Sequence, residues 1–214
     1  MTAKFVVDFD HQAAFDTIVT LISLQGTHHN TLTQEEPGRI HHEWRDFRRW
    51  HGAFGDRLPF FLLRRTWDIR RDILLTYYSL DATALFIRLV HKYATHVDAT
   101  VLERKVVDRE GNPTTVKAAV AAAAHWLVEA IDDSGLVAEL RHNTLSLPFQ
   151  TFQDSFYSRG DGSLVVANKR IAFIEVQAFA ADALFAAAHL FEGHGAAPIW
   201  REAGRQLFDT MRKQ

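Results

Sequence analysis

Apolar residues recur at helical spacing in five stretches of this chain. Over residues 11–25, Phe15, Ile18, Val19 and Ile22 share one face, and Gly26 offers a stop. Over 82–97 the face is Leu85, Phe86, Leu89, Val90 and Tyr93, with Asp81 where a cap would stand. Asn112 and Pro113 look like a helix start, since asparagine caps and proline is tolerated at the first helical position. The alanine-rich run behind them then reads as a helix to about Ile131, closed by a turn at Asp132, Asp133, Ser134 and Gly135. Two further helices are predicted over 171–192 and 197–212, the second with Ile199, Trp200, Ala203, Leu207 and Met211 on one side.

Between these helices, segments 27–80 and 136–168 are rich in aromatic and charged residues and hold little periodicity. Loops of that length in a compact domain are uncommon and often carry function. Short strands are expected inside them, near 136–140 and 163–167. No short sequence repeat interrupts the pattern of helix after helix. The expectation is a single, mainly α domain spanning residues 1–214.

With 214 residues and 47% apolar content, the chain can bury one sizeable core. A formal charge of −2 gives no field for nucleic acid or an anionic membrane and suits a neutral ligand. The chain has no cysteine, which excludes disulfides, thiolate zinc sites and a thiol nucleophile. The first residues are too interrupted by charge for a secretory signal, and no apolar run approaches the roughly 18 residues needed to span a bilayer. A cytoplasmic protein is the expectation.

Four segments carry more specific chemistry. They are QEEPGRIHHEWR (34–45), YYSLDATALF (77–86), LPFQTFQDSFYSRGDGSL (147–164) and IAFIEVQA (171–178). In kind and order they resemble the bacterial and archaeal glycogen-debranching family of amylo-α-1,6-glucosidase-like glycoside hydrolases. That family shows Glu-Pro-Gly-Lys-Ile with a following His-Glu-x-Arg, then Tyr-x-x-x-Asp-Ala-Thr-Pro-Leu-Phe, Gln-x-Trp-Lys-Asp-Ser and Glu-Val-Gln-Gly. This chain departs from it with Phe152 for the tryptophan, Gln153 for the lysine and Ala178 for the last glycine. The lost lysine removes a charge that would help hold sugar hydroxyls or tune the neighbouring acid.

The resemblance implies a six-hairpin α/α toroid with long active-site loops. About twelve helices at ordinary lengths need roughly 350 residues, so this chain corresponds to part of such a toroid or to a reduced one. An open hairpin surface would then call for a homo-oligomer or a missing complementary segment. By the same resemblance Asp154 is the general acid of an inverting hydrolysis of α-glucan branches, with no cofactor. Its surroundings of apolar and amide side chains can keep a carboxyl protonated, although an Asp-Ser pair also suits a local turn. Inversion needs a second carboxylate to activate water. The family's base lies farther along than this chain extends, and no late motif matches it.

The resemblance places Glu36, Glu43, Arg45, Tyr78, Asp81, Gln150, Phe152 and Gln153 in the substrate site, with Glu35 and Tyr77 beside them. Carboxylates and a guanidinium fork suit the vicinal hydroxyls of a sugar. Equally, a surface turn at Pro37–Gly38 and a helix cap at Asp81 would account for several of these residues. Trp44, Phe152 and Tyr157 are candidate faces for stacking a pyranose ring. Glu175 and Gln177 would form a buried polar pair supporting the site from behind.

Twelve histidines raise the question of a metal, but the neighbours His28–His29 and His41–His42 do not share a helix or strand face, and no HExxH spacing occurs. No metal is expected. The arginine pairs at 48–49, 64–65 and 70–71 are interleaved with Asp46, Asp56, Asp68 and Asp72, as on a salt-bridged surface rather than a nucleic-acid patch. Two other functions stay open beside the hydrolase: a non-catalytic carbohydrate-binding or assembly module that lacks the base, and a helical interaction protein.

Overall fold

The computed structural model describes residues 7–47, 69, 71–138 and 172–213. Among them the chain is mainly helical, with five α-helices and four short strands. The motif positions Gln150, Phe152, Gln153, Asp154 and Tyr157, and the expected strand at 163–167, lie outside the described residues.

Helix α1 (His11–Ser23) starts at Asp10, whose extended backbone lets Oδ1 accept the N–H of Ala13 at 2.9 Å. It buries Ala14, Ile18 and Ile22 and ends at Leu24. Gly26 therefore does not stop the helix. It is required one step later, because a Cβ there would overlap the carbonyl of Glu36.

Helix α2 (Ala82–His96) is the centre of the fold and packs against α1 and two later helices. Thr83, Ala84, Phe86, Ile87, Leu89, Val90, Tyr93 and Ala94 are all buried, a face wider than the one stripe read from the sequence. Emptying its largest fully buried apolar side chain, Phe86→Ala, would cost about 3–5 kcal/mol. Asp81 occupies the cap position but makes no capping bond. Ser79 caps instead, its Oγ accepting from the N–H of Ala82 at 3.0 Å while donating to Asp81 at 2.5 Å.

Asn112–Pro113 does not begin a helix. After a 3-10 turn (Val101–Glu103), strands β3 (Lys105–Val107) and β4 (Pro113–Thr115) pair in a hairpin, with Asn112 in its turn. Asp108 organises that turn by accepting from the backbone of Glu110 and Asn112 at 2.9 and 2.8 Å. Those bonds, the Asn112 N–H foremost, hold its carboxyl below the usual range. Helix α3 (Val116–Glu129) then starts from Thr115, whose hydroxyl accepts from Ala118 at 3.1 Å. Asp132 to Gly135 forms the expected turn, and a single bridge joins Ile131 to Val137.

Helices α4 (Ile174–Leu190) and α5 (Ala197–Lys213) pack on each other, α4 also against α2 and α3 and α5 against α3. Gly204 permits their close approach, since a Cβ there would lie 3.2 Å from the Ala181 carbonyl. Strands β1 (Glu43–Asp46) and β2 (Ile73–Thr76), which the sequence pattern does not announce, make a separate antiparallel ribbon. Among the described residues no helix is long and apolar enough to cross a membrane.

Candidate functional site

The segment after α1 folds back on itself and is riveted to α3. Gly26 donates to the Arg39 carbonyl at 2.8 Å and Gly38 to the Gly26 carbonyl at 2.9 Å. The Gln25 amide reaches both Gly38 and, on α3, Ala119, at 2.8 and 3.0 Å. Gly38 has a φ of 86° and lies so close to Ala122 that a side chain there would overlap backbone. Within this fold-back, Asn30 and Glu35 exchange backbone bonds at 2.9 and 3.1 Å around a tight turn.

Opposite that turn stands the β1–β2 ribbon. Strand alternation sends Leu74 and Thr76 inward and leaves Ile73 and Leu75, with Trp44 opposite Leu75, on the other face. Between ribbon and turn opens a cleft of about 830 Å³, one wall apolar (Trp44, Ile73, Leu75) and the other polar (His28, Asn30, Thr33). Trp44 is 47% exposed there.

Glu35 and Arg109 also line this cleft. Glu35 is only 4% exposed, yet its Oε1 accepts from the backbone N–H groups of Thr27 and His28 at 3.0 and 3.4 Å and forms an ion pair with Arg109. Arg109 comes from the β3–β4 turn and also donates to the Tyr77 hydroxyl at 3.0 Å. That hydroxyl in turn donates to the Leu24 carbonyl at 2.9 Å. Burial raises the Tyr77 phenol well above its ordinary range and pushes Tyr78 up to about 12, so both remain protonated donors. Tyr78 donates to the Leu32 carbonyl and so supports the turn from beneath.

Glu36 points elsewhere. Its Oε2 accepts from the Trp126 indole at 2.6 Å and from Arg39 at 3.4 Å, beside a smaller pocket of about 360 Å³ lined by His29, Pro37, His125 and Glu129. Arg39 is a fastener: it donates to the carbonyls of Gln34 and Ser79 at 3.0 and 3.3 Å and lies 5.0 Å over the Trp126 ring. Glu43 and Arg45, two apart on β1, pair with each other on the partly exposed face of the ribbon. Asp81 is buried behind the turn, bound to Ser79. Of Glu175 and Gln177 only the second is buried, and its amide brackets Val137, accepting its N–H at 2.8 Å and donating to its carbonyl at 2.7 Å.

The structure thus gathers Glu35, Trp44 and Arg109 on one cleft, while Glu36 and the Glu43–Arg45 pair stand beside it. Arg109 is the residue that sequence reasoning passed over. The signal available was a β-branched run, KVV, separated from PTT by a glycine-containing turn, which marks a hairpin but not where its arginine reaches. His28 pairs with Glu110 of the same hairpin at 2.6 Å, at an exposed rim. His41 is half-buried, and burial, with His42 beside it, lowers its pKa to about 4. Among the described residues no group of three or more histidines and carboxylates is placed to hold a metal ion.

Fold and cleft together define a mainly helical protein with an amphipathic surface site. Comparison with family models, curated proteins and solved structures found no match to this chain.

Proposed function

We propose that this chain is a glycoside hydrolase-like domain of the glycogen-debranching type, acting on or binding the α-1,6 branch ends of an α-glucan. The observation that carries the reading is the cleft over Glu35. A half-exposed tryptophan on an apolar wall faces a polar wall with a fixed carboxylate and guanidinium, which suits a ring with one apolar face and a rim of hydroxyls. The four ordered motifs supply the linkage and the chemistry. Asp154 would protonate the leaving oxygen while water attacks from the opposite side, inverting the anomeric centre without a cofactor. On this reading the helices belong to a six-hairpin toroid. Exposed Ile174, Phe185, Ile199 and Phe208 on α4 and α5 then meet a complementary segment or a second copy. A cysteine-free chain suits work in the cytoplasm.

One observation favours a second reading, a carbohydrate-binding module without turnover. Glu35 Oε1 is held by two backbone donors and an arginine, which suits a hydrogen-bond acceptor better than a water-activating base.

Glucose release from a branched limit dextrin, measured for the native chain and Asp154→Asn with calorimetric binding in parallel, tests both. Release that vanishes in the variant supports the hydrolase, and binding without release supports the module. A folded protein that does neither removes both and leaves an interaction protein.

A further inference from the structure

Arg109 lines the cleft from the turn of the β3–β4 hairpin, with about a third of its side chain exposed (33%). A long side chain on a turn is a poor ligand contact by itself, because a ligand that orders it must offset its lost rotamer freedom. Two acceptors remove that freedom in advance. Glu35 Oε1 and the Tyr77 hydroxyl both bind the same nitrogen, Nη1, the first as an ion pair and the second at 3.0 Å.

The number of acceptors matters because of the shape of the group. A guanidinium is planar, and the two hydrogens of Nη1 diverge within that plane. One acceptor leaves the plane free to turn about a single N–H···O axis, whereas two acceptors define it. With Nη1 occupied, the N–H groups on Nη2 and Nε remain, and among the described residues they donate to no protein acceptor.

Tyr77 suits the role of second anchor. Burial keeps its phenol protonated, the proton is committed to the Leu24 carbonyl at 2.9 Å, and the oxygen is left to accept from the arginine. The Tyr77 N–H binds the Thr33 carbonyl at 2.9 Å, which ties it to the turn that leads into Glu35. Tyr77 is itself 0% exposed and does not line the cleft, so it offers a ligand no surface. Whatever it contributes to binding passes through Arg109.

We propose that Tyr77 is a positioning residue for the cleft: with Glu35 it fixes the guanidinium plane of Arg109, whose Nη2 and Nε groups then donate to hydroxyl oxygens of a neutral saccharide. The saccharide contact rests on the α-glucan reading above. Glu35 balances the charge of Arg109, so the pair presents directed N–H groups rather than a net charge.

The test is a double-mutant cycle on the full chain with Tyr77→Phe and Arg109→Lys, read by calorimetric titration with panose, a neutral trisaccharide containing an α-1,6 bond. Tyr77→Phe keeps the ring, which lies 6.0 Å from the guanidinium carbon, and deletes only the hydroxyl. Arg109→Lys keeps a cation for Glu35 but has no plane to fix. Tyr77→Phe is expected to weaken panose binding at least fivefold in the native background and to change it little beside Arg109→Lys. Equal losses in both backgrounds overturn the proposal, since they describe a structural effect that bypasses the arginine. Binding indifferent to Tyr77→Phe overturns it as well, while leaving the α-glucan reading intact. No binding of panose by the native chain sinks that reading and the saccharide contact together. Nitrogen NMR of the arginine side chains gives a readout without ligand: hindered guanidinium rotation at Arg109 is expected in the native chain and free rotation in Tyr77→Phe. Hindered rotation in both overturns the positioning role directly.

Discussion

Arg109 meets Glu35 across the floor of the cleft, joining the turn of one hairpin to the bridge of another. The carboxylate is almost wholly buried, whereas about a third of the arginine side chain (33%) is exposed. Removing the arginine leaves a buried carboxylate with backbone donors alone. Arg109→Met should therefore destabilise the chain by about 3 kcal/mol, the lower end for a broken buried pair because Arg109 is partly solvated. Adding Glu35→Gln should recover part of the loss. Urea denaturation of the two variants checks both, and equal stability of Arg109→Met and the native chain would remove the pair from the account of the site.

Gly38 and Gly111 share a φ of 86° but not their surroundings. A side chain at 111 meets nothing within 4 Å, whereas one at 38 overlaps the backbone of Ala122. Gly111→Ala should cost about 1–2 kcal/mol, the left-handed penalty alone. Gly38→Ala should cost clearly more and loosen the cleft wall from α3. Chemical denaturation of the pair separates conformational strain from steric contact.

Trp44 is half exposed on the apolar wall. If that wall receives a sugar ring, Trp44→Ala should weaken saccharide binding by about tenfold, or roughly 1.4 kcal/mol. The melting temperature should move little. Unchanged binding would place the sugar, if one binds, away from this wall.

His41 gives the fold an acid-sensitive element. Its folded pKa of about 4 lies below the ordinary 6.5, so between those values the unfolded chain binds the extra proton. Stability from this group is complete above pH 6.5 and declines as pH falls towards 4, by up to about 3 kcal/mol. Unfolding free energies at pH 7.0 and 4.5 should differ less in His41→Gln than in the native chain. An identical difference would assign the acid sensitivity to other groups.

Helices were legible wherever one apolar stripe ran for three turns, as at Ile18 and Ile22 in α1 or Trp200 and Leu207 in α5. The misplaced start of α3 has a simple cause. Asn112 and Thr115 are both good caps, and only the pairing of Lys105–Val107 with Pro113–Thr115 decides between them. Such pairing is a relation between segments, which periodicity within one segment does not contain. The same limit applies to the site. Glu35 and Glu36 are adjacent in sequence, but strand-like alternation at the Asn30–Glu35 bridge sends the first to the cleft and the second to Trp126. Arg109 enters only through the hairpin that carries it.

Arg39 bears on the order of events in folding. Its guanidinium joins the Gln34 and Ser79 carbonyls, Glu36 and the face of Trp126, groups brought together only after α2 and α3 have docked. The expectation is that these contacts form on the native side of the barrier. Weakening them, for example by Arg39→Lys, which lacks the planar fork, should accelerate unfolding while leaving the refolding rate nearly unchanged. An outcome of that kind would make Arg39 the residue that sets how long the turn bearing Gln34 and Glu35 stays closed once made.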